Sequence, residues 1–180
     1  MWVRQRRRSR GWPAGGSVVR LAVLLIASIA AAASWSPAAS AQGNGGRPLS
    51  AISRQTLDFG LLFSGTPSRV SRFDALRAGQ FELRGAKGSE IRVDLGLPAT
   101  MTGPGGAKLP LQFVPGDGGY ARDGIIGTAA PFDPGAPLIT TLSDNGRLYL
   151  YLGGTATPAA AQSAGTYSGT VILTIAYTGT

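Results

Sequence analysis

Residues 165–179 read Gly165-Thr166-Tyr167-Ser168-Gly169-Thr170-Val171-Ile172-Leu173-Thr174-Ile175-Ala176-Tyr177-Thr178-Gly179. The odd positions carry Tyr167, Val171, Leu173, Ile175 and Tyr177, and the even ones carry Ser168, Thr170, Thr174 and Thr178. A period of two built from β-branched and aromatic residues specifies an extended strand with one face in a core and one face polar. Ile172 falls on the polar side. It is either one exposed Ile on a packed terminal strand or, if this strand is a sheet edge, a contact point for a partner.

The same periodicity recurs upstream. Gln55-Thr56-Leu57-Asp58-Phe59-Gly60 predicts a first strand with Leu57 and Phe59 on one face. Leu61 to Gly65 leads into a turn at Thr66-Pro67-Ser68, and 70–76 predicts a short extended or irregular segment. Gln80–Gly85 places Phe81 and Leu83 inward, and Glu90–Leu97 does the same with Ile91, Val93, Leu95 and Leu97. Two alternating runs joined by Ala86-Lys87-Gly88-Ser89 predict a β-hairpin. Leu109–Val114 predicts a strand that is an edge or begins after Pro110, because proline has no N–H for a ladder. A short strand is expected at 125–129, and Pro131, Pro134 and Pro137 predict a surface loop without helix. Gly146–Thr155 predicts a further strand with Leu148, Leu150 and Leu152 on one face and Tyr149 and Tyr151 on the other. Apolar content on both faces marks a central or covered strand. Short strands separated by Gly and Pro turns, with no sustained 3.6-residue period, specify an all-β sandwich.

The first forty-one residues stand apart. Arg4, Arg6, Arg7, Arg8, Arg10 and Arg20 form a basic leader, Leu21 to Ala33 is an apolar run, and Ala39-Ser40-Ala41 is a small-x-small cleavage signal. Together they predict a helical secretory signal peptide over 1–41, cut before Gln42, and no membrane anchor after cleavage. Residues 42–54 are then a flexible mature N-terminus and 55–180 the β-sandwich domain. The whole chain has seventeen basic and nine acidic residues, a net +8. The leader holds six of the basic residues and no acidic one, leaving eleven against nine, or +2. The high isoelectric point thus belongs mostly to the leader and gives no indication of nucleic-acid binding.

The chain contains neither Cys nor His. Disulfides, Ser-His-Asp catalysis and most metal chemistry are therefore closed to it. Gly165-Thr166-Tyr167-Ser168-Gly169 has the wrong spacing for a nucleophile elbow and precedes a strand instead of a helix. Gly103-Pro104-Gly105-Gly106-Ala107-Lys108 lacks the spacing and hydroxyl of a phosphate loop. Asp117 and Asp123 lie in a Gly-rich loop but offer too few oxygens for calcium. Glu82 and Asp94 are expected on polar strand faces, solvated beside Arg84 and Arg92. No catalytic residue, cofactor or metal site is expected.

Leu57-Asp58-Phe59-Gly60, Phe81-Glu82-Leu83-Arg84-Gly85, Ile91-Arg92-Val93-Asp94-Leu95, the stretch from Arg147 to Gly153, and the closing Ala164-Gly165-Thr166-Tyr167-Ser168-Gly169-Thr170 occur in that order. In these motifs the chain resembles the bacterial secreted domains of unknown function 4402, which are similar in turn to spore coat protein U and chaperone–usher pilin domains. That family has no established activity. The resemblance implies an immunoglobulin-like, pilin-like sandwich that lacks one strand. A periplasmic chaperone, and then the N-terminal segment of a neighbouring subunit, would fill the gap by strand addition.

The expectation is an exported, non-enzymatic structural or adhesive protein of the periplasm or cell surface. It would pair with protein partners, a chaperone or neighbouring subunits, through Tyr167, Val171, Ile172, Leu173, Ile175 and Tyr177. Residues 42–54 alternate apolar side chains poorly and would make a weak donor. The alternative is a secreted carbohydrate- or ligand-binding module that uses an aromatic surface at Tyr149 and Tyr151.

Overall fold

A computed structural model describes residues 47–179 and, of the preceding chain, only the backbone of Val18–Arg20. The expected signal helix and the cleavage site at 39–41 lie outside the described residues. In chain order the strands are β1 Val18–Arg20, β2 Ser50–Gln55, β3 Leu61–Phe63, β4 Ser68–Val70, β5 Gly79–Arg84, β6 Glu90–Gly96 and β7 Thr100–Thr102. They continue with β8 Lys108–Gln112, β9 Gly118–Ala121, β10 Ala130–Phe132, β11 Leu138–Thr141, β12 Arg147–Leu152, β13 Gly154–Ala156 and β14 Ile172–Tyr177. Two single 3-10 turns are the helical structure among the described residues, and no helix there is long and apolar enough to cross a membrane.

All ladders are antiparallel. A five-stranded sheet runs β10-β9-β12-β5-β2, a three-stranded sheet β11-β6-β14 and a four-stranded sheet β4-β13-β8-β7, while β1 pairs with β3. The chain is an all-β sandwich. One continuous core draws Phe81, Leu83, Leu148 and Leu150 from the five-stranded sheet, Ile91, Val93 and Leu173 from the three-stranded one, and Leu109, Leu111, Val70 and Ala156 from the third. Alternation along each strand sends these side chains to a common interior. The strand 147–152 is central, flanked by β5 and β9.

Several local expectations are corrected. The runs at 80–85 and 90–97 are strands but not a hairpin. β5 pairs with β12 and β2, whereas β6 pairs with β11 and β14. Residues 85–89 arch from one sheet to the other, and a second arch from β11 to β12 stacks beside it through Gly88 N–H to Ser143 O and Leu142 N–H to Ser89 O. Both runs place apolar side chains in the same core, and an arch brings those faces together where a hairpin would lay them side by side.

The first strand lies earlier than its alternation indicated. Ser50–Gln55 pairs with β5, although this stretch was expected to be largely loose. Leu57 and Phe59 are buried outside any ladder. Strand β8 runs through Pro110 with neighbours on both sides. It escapes the proline penalty because β13 ends at Ala156, and the Pro110 carbonyl instead accepts the Thr157 N–H at 3.0 Å. The strand expected at 125–129 is a 3-10 turn at Ile126–Thr128, and a strand follows at Ala130–Phe132. Pro131 is accommodated there because β10 is a sheet edge. Beyond it Leu138–Thr141 is a strand that the three prolines had masked.

Candidate functional site

The ordered C-terminal strand is Ile172–Tyr177, and β14 is the last strand of its sheet, paired on one side to β6. Its register places Tyr177 opposite Ile91, and the next pair is closed by Thr178 N–H donating to Glu90 O at 3.3 Å. In an antiparallel ladder, hydrogen-bonded and non-hydrogen-bonded pairs alternate. The even residues therefore bond to β6, and the N–H and C=O groups of Leu173 and Ile175 point to the open side. Among the described residues they make no main-chain bond to another segment. The side chains of Leu173 and Ile175 turn toward the core, whereas Ile172 is 49% exposed on the outer face. An unpaired row of main-chain donors and acceptors is a template for another strand.

On that open side β2, the edge of the five-stranded sheet, approaches β14 without sharing a ladder with it. The two edges are tied together at one end. The Tyr177 hydroxyl donates to Arg47 O at 2.6 Å and accepts the Ala86 N–H at 2.7 Å. Gly85 makes this junction fit. A Cβ there would sit 2.5 Å from the Tyr177 hydroxyl, 2.8 Å from Leu142 and 2.9 Å from Leu49. The residues proposed for pairing thus divide by position. Leu173, Ile175 and Tyr177 border the open edge, and Ile172 faces away from the core.

Tyr167 and Val171 lie before the strand and are fully buried. Ser168 makes an isolated bridge to Thr102. The Tyr167 hydroxyl donates to Ser163 O at 2.7 Å and accepts from the Gln162 amide, whose nitrogen also reaches Lys108 O at 3.2 Å. A buried Tyr bonding back to the chain a few residues upstream is the tyrosine-corner arrangement of Greek-key sandwiches. Gly103 admits the ring, since a Cβ there would lie 2.6 Å from it. The Gly165-Thr166-Tyr167 motif is a corner that aims the last strand, and alternation alone assigned Tyr167 to the strand because it shares the odd parity.

The two tyrosines of β12 also separate. Tyr151 is 3% exposed and packs with Ala121 and Ala129 beneath the 3-10 turn, and this burial raises its hydroxyl above the ordinary range. Tyr149 is half-buried, with its hydroxyl 3.4 Å from Arg147 Nη1. Asp117 and Asp123 serve local structure. Asp117 pairs with Arg69 at 2.8 Å and accepts the Val114 N–H, while Asp123 accepts the Ile125 N–H and the Thr128 hydroxyl. Among the described residues no cluster of three or more His, Cys, Asp or Glu could hold a metal.

Asp94 is half-buried, with 40% of its side chain exposed, and is paired with Arg92 as expected. Glu82 is not solvated: it is 1% exposed, on the outer face of the five-stranded sheet. Its carboxylate accepts Arg84 Nε at 2.7 Å and Arg54 Nε at 2.8 Å, with Arg54 Nη2 on the same oxygen as its own Nε and Arg147 Nη1 at 3.7 Å. The carboxyl is held at about 2, against an ordinary 4.5. The Arg84 hydrogen bond is the largest cause, burial opposes it, and Arg54 adds to the lowering. A folded-state value below the unfolded one contributes stability above pH 4.5, and that contribution is lost as pH falls toward about 2. Glu82→Gln is therefore expected to be less stable than the parent at pH 7 and to lose less on acidification. Thermal unfolding at pH 7 and pH 3 measures the difference, and equal acid sensitivity in both proteins would contradict it.

No curated protein matches the chain. Residues 72–177 match the family described as Domain of unknown function (DUF4402), a span that includes the arches, the corner and all of β14. By that match over more than half its length, the chain belongs to the DUF4402 family.

Proposed function

We propose that this is an exported, non-catalytic β-sandwich protein that engages another polypeptide by strand addition along β14. The carrying observation is the one-sided ladder of Ile172–Tyr177, whose outward main-chain groups at Leu173 and Ile175 lie beside the edge of β2. Backbone bonding along such an edge gives affinity, and alternating side chains give register. Membership of the DUF4402 family supports the reading through the pilin-like strand addition that the sequence resemblance implies, as does the tyrosine corner of immunoglobulin-type sandwiches.

The partner is a neighbouring subunit or an export chaperone. Strand β2 uses Ser50–Gln55 within the domain, and Arg47 and Leu49 are engaged at the Tyr177 corner, which confines any donor from the mature N-terminus to residues 42–46. Removal of the leader before Gln42 places the protein in the periplasm or at the cell surface, and would also take away β1, baring the β3 edge at Leu61–Phe63.

The test is light scattering of residues 42–180 across a concentration series, alone and with a version lacking residues 42–46. Self-association of the longer chain that weakens on truncation supports subunit pairing. Association that survives truncation places the donor elsewhere. A strict monomer that also captures no strand-donating partner from a periplasmic extract sinks the reading. Sequencing the exported product checks the leader separately, with Gln42 expected as its first residue.

A further inference from the structure

We propose that the outer face of the five-stranded sheet carries a binding site for an acidic saccharide, formed by Arg54, Arg84 and Arg147 around Glu82, with Tyr149 beside them. This site lies on a different surface from the β14 edge and does not depend on strand pairing.

The first argument is stoichiometry. Every other ion-paired carboxylate among the described residues has a single Arg: Asp74 with Arg77, Asp94 with Arg92, Asp117 with Arg69. Glu82 alone gathers three, from three adjacent strands. Its two oxygens are already satisfied by Arg54 and Arg84, and Arg147 stands at 3.7 Å, beyond hydrogen-bond reach. One buried anion against three guanidiniums leaves two positive charges on a small patch.

The second argument is geometry. Arg84 spends only its Nε on Glu82, and Arg147 makes one side-chain hydrogen bond, to the Tyr149 hydroxyl at 3.4 Å. Their remaining N–H groups make no side-chain hydrogen bond among the described residues, and the partly exposed guanidiniums flank a Glu82 carboxylate buried on a strand paired on both sides. Planar guanidiniums fixed in this way suit bidentate capture of carboxylate or sulfate. The phenol next to them supplies a hydroxyl partner and part of an aromatic ring, which suits a hydroxyl-rich ligand. Two spare charges on one patch are too few for the many phosphate contacts that give nucleic acids their affinity.

Binding to polygalacturonate and to heparin, with dextran and a DNA duplex as comparisons, tests the site by calorimetry at low and at moderate salt. The mature protein is expected to bind at least one acidic polysaccharide, to release it as salt rises, and to ignore dextran. Arg147→Ala leaves Glu82 bonded to Arg54 and Arg84, so the fold is retained, and it should weaken binding about tenfold. Tyr149→Phe should weaken it less. Failure to bind either polyanion overturns the proposal, and so does undiminished binding by a folded Arg147→Ala. Equal affinity for DNA with the same dependence on Arg147 would also overturn it, by showing a general polyanion surface.

Discussion

Replacing Tyr167 with Ala is expected to destabilise the domain by about 3–5 kcal/mol, the range for removing a large aromatic side chain from a packed interior. The ring is fully buried against Gly103, and its hydroxyl joins Ser163 O to the Gln162 amide. Gln162 in turn holds Lys108 O and accepts the Ala159 N–H at 3.1 Å. The substitution therefore opens a cavity and frees a network that spans two segments. Tyr167→Phe keeps the packing and leaves the hydrogen-bond partners without the hydroxyl, at a cost of about 1–3 kcal/mol. A domain whose net stability is about 5–15 kcal/mol would lose a large share of it in the Ala variant. Urea unfolding of residues 42–180 reads both values. All three Trp, at 2, 12 and 35, lie outside residues 42–180, so circular dichroism is the appropriate signal. A loss below 1 kcal/mol for Tyr167→Ala would show that the corner is not a determinant of the fold.

Ile175→Pro is expected to weaken association through β14 strongly while the domain stays folded. Position 175 is odd, so its N–H points away from β6, and a proline there removes no bond of the existing ladder. The incoming strand, by contrast, would lose a donor and meet the pyrrolidine ring. Stranding its carbonyl costs about 1–3 kcal/mol, and with the steric clash the affinity should fall by about 100-fold. Ala176→Pro is the informative contrast. Its N–H lies on the ladder side, so that variant should unfold. Light scattering and melting temperature together distinguish the cases. A folded Ile175→Pro variant that associates like the parent would place the interface away from this edge.

How far the sequence disclosed this structure depends on what alternation encodes. Phe81 with Leu83, Ile91 with Val93, and the three leucines of β12 identified core-facing positions directly, because a strand half-buried in a sandwich must alternate. Alternation does not say which strand lies next door. The turn-like Ala86-Lys87-Gly88-Ser89 suits a hairpin and an arch equally, and only the second arch at 141–147 shows which was built. Ser50–Gln55 escaped notice because it is an edge strand of small and polar residues, and its pairing is set by its neighbour β5. At the candidate sites, the exposed Ile172 was visible from its parity. The burial of Glu82 was not, since it comes from Arg54, twenty-eight residues upstream, and from Arg147 on another strand. Tyr151 was hidden for the same reason, being covered by the distant turn at 126–129.

The Tyr177 hydroxyl, held between Arg47 and Ala86, brings head and tail of the domain to one corner. Cargo fused directly before Arg47 or just after Tyr177 would start from that corner. In a string of such domains the attachments would crowd at the joints, and a short tether between the two ends would suffice to make the polypeptide circular.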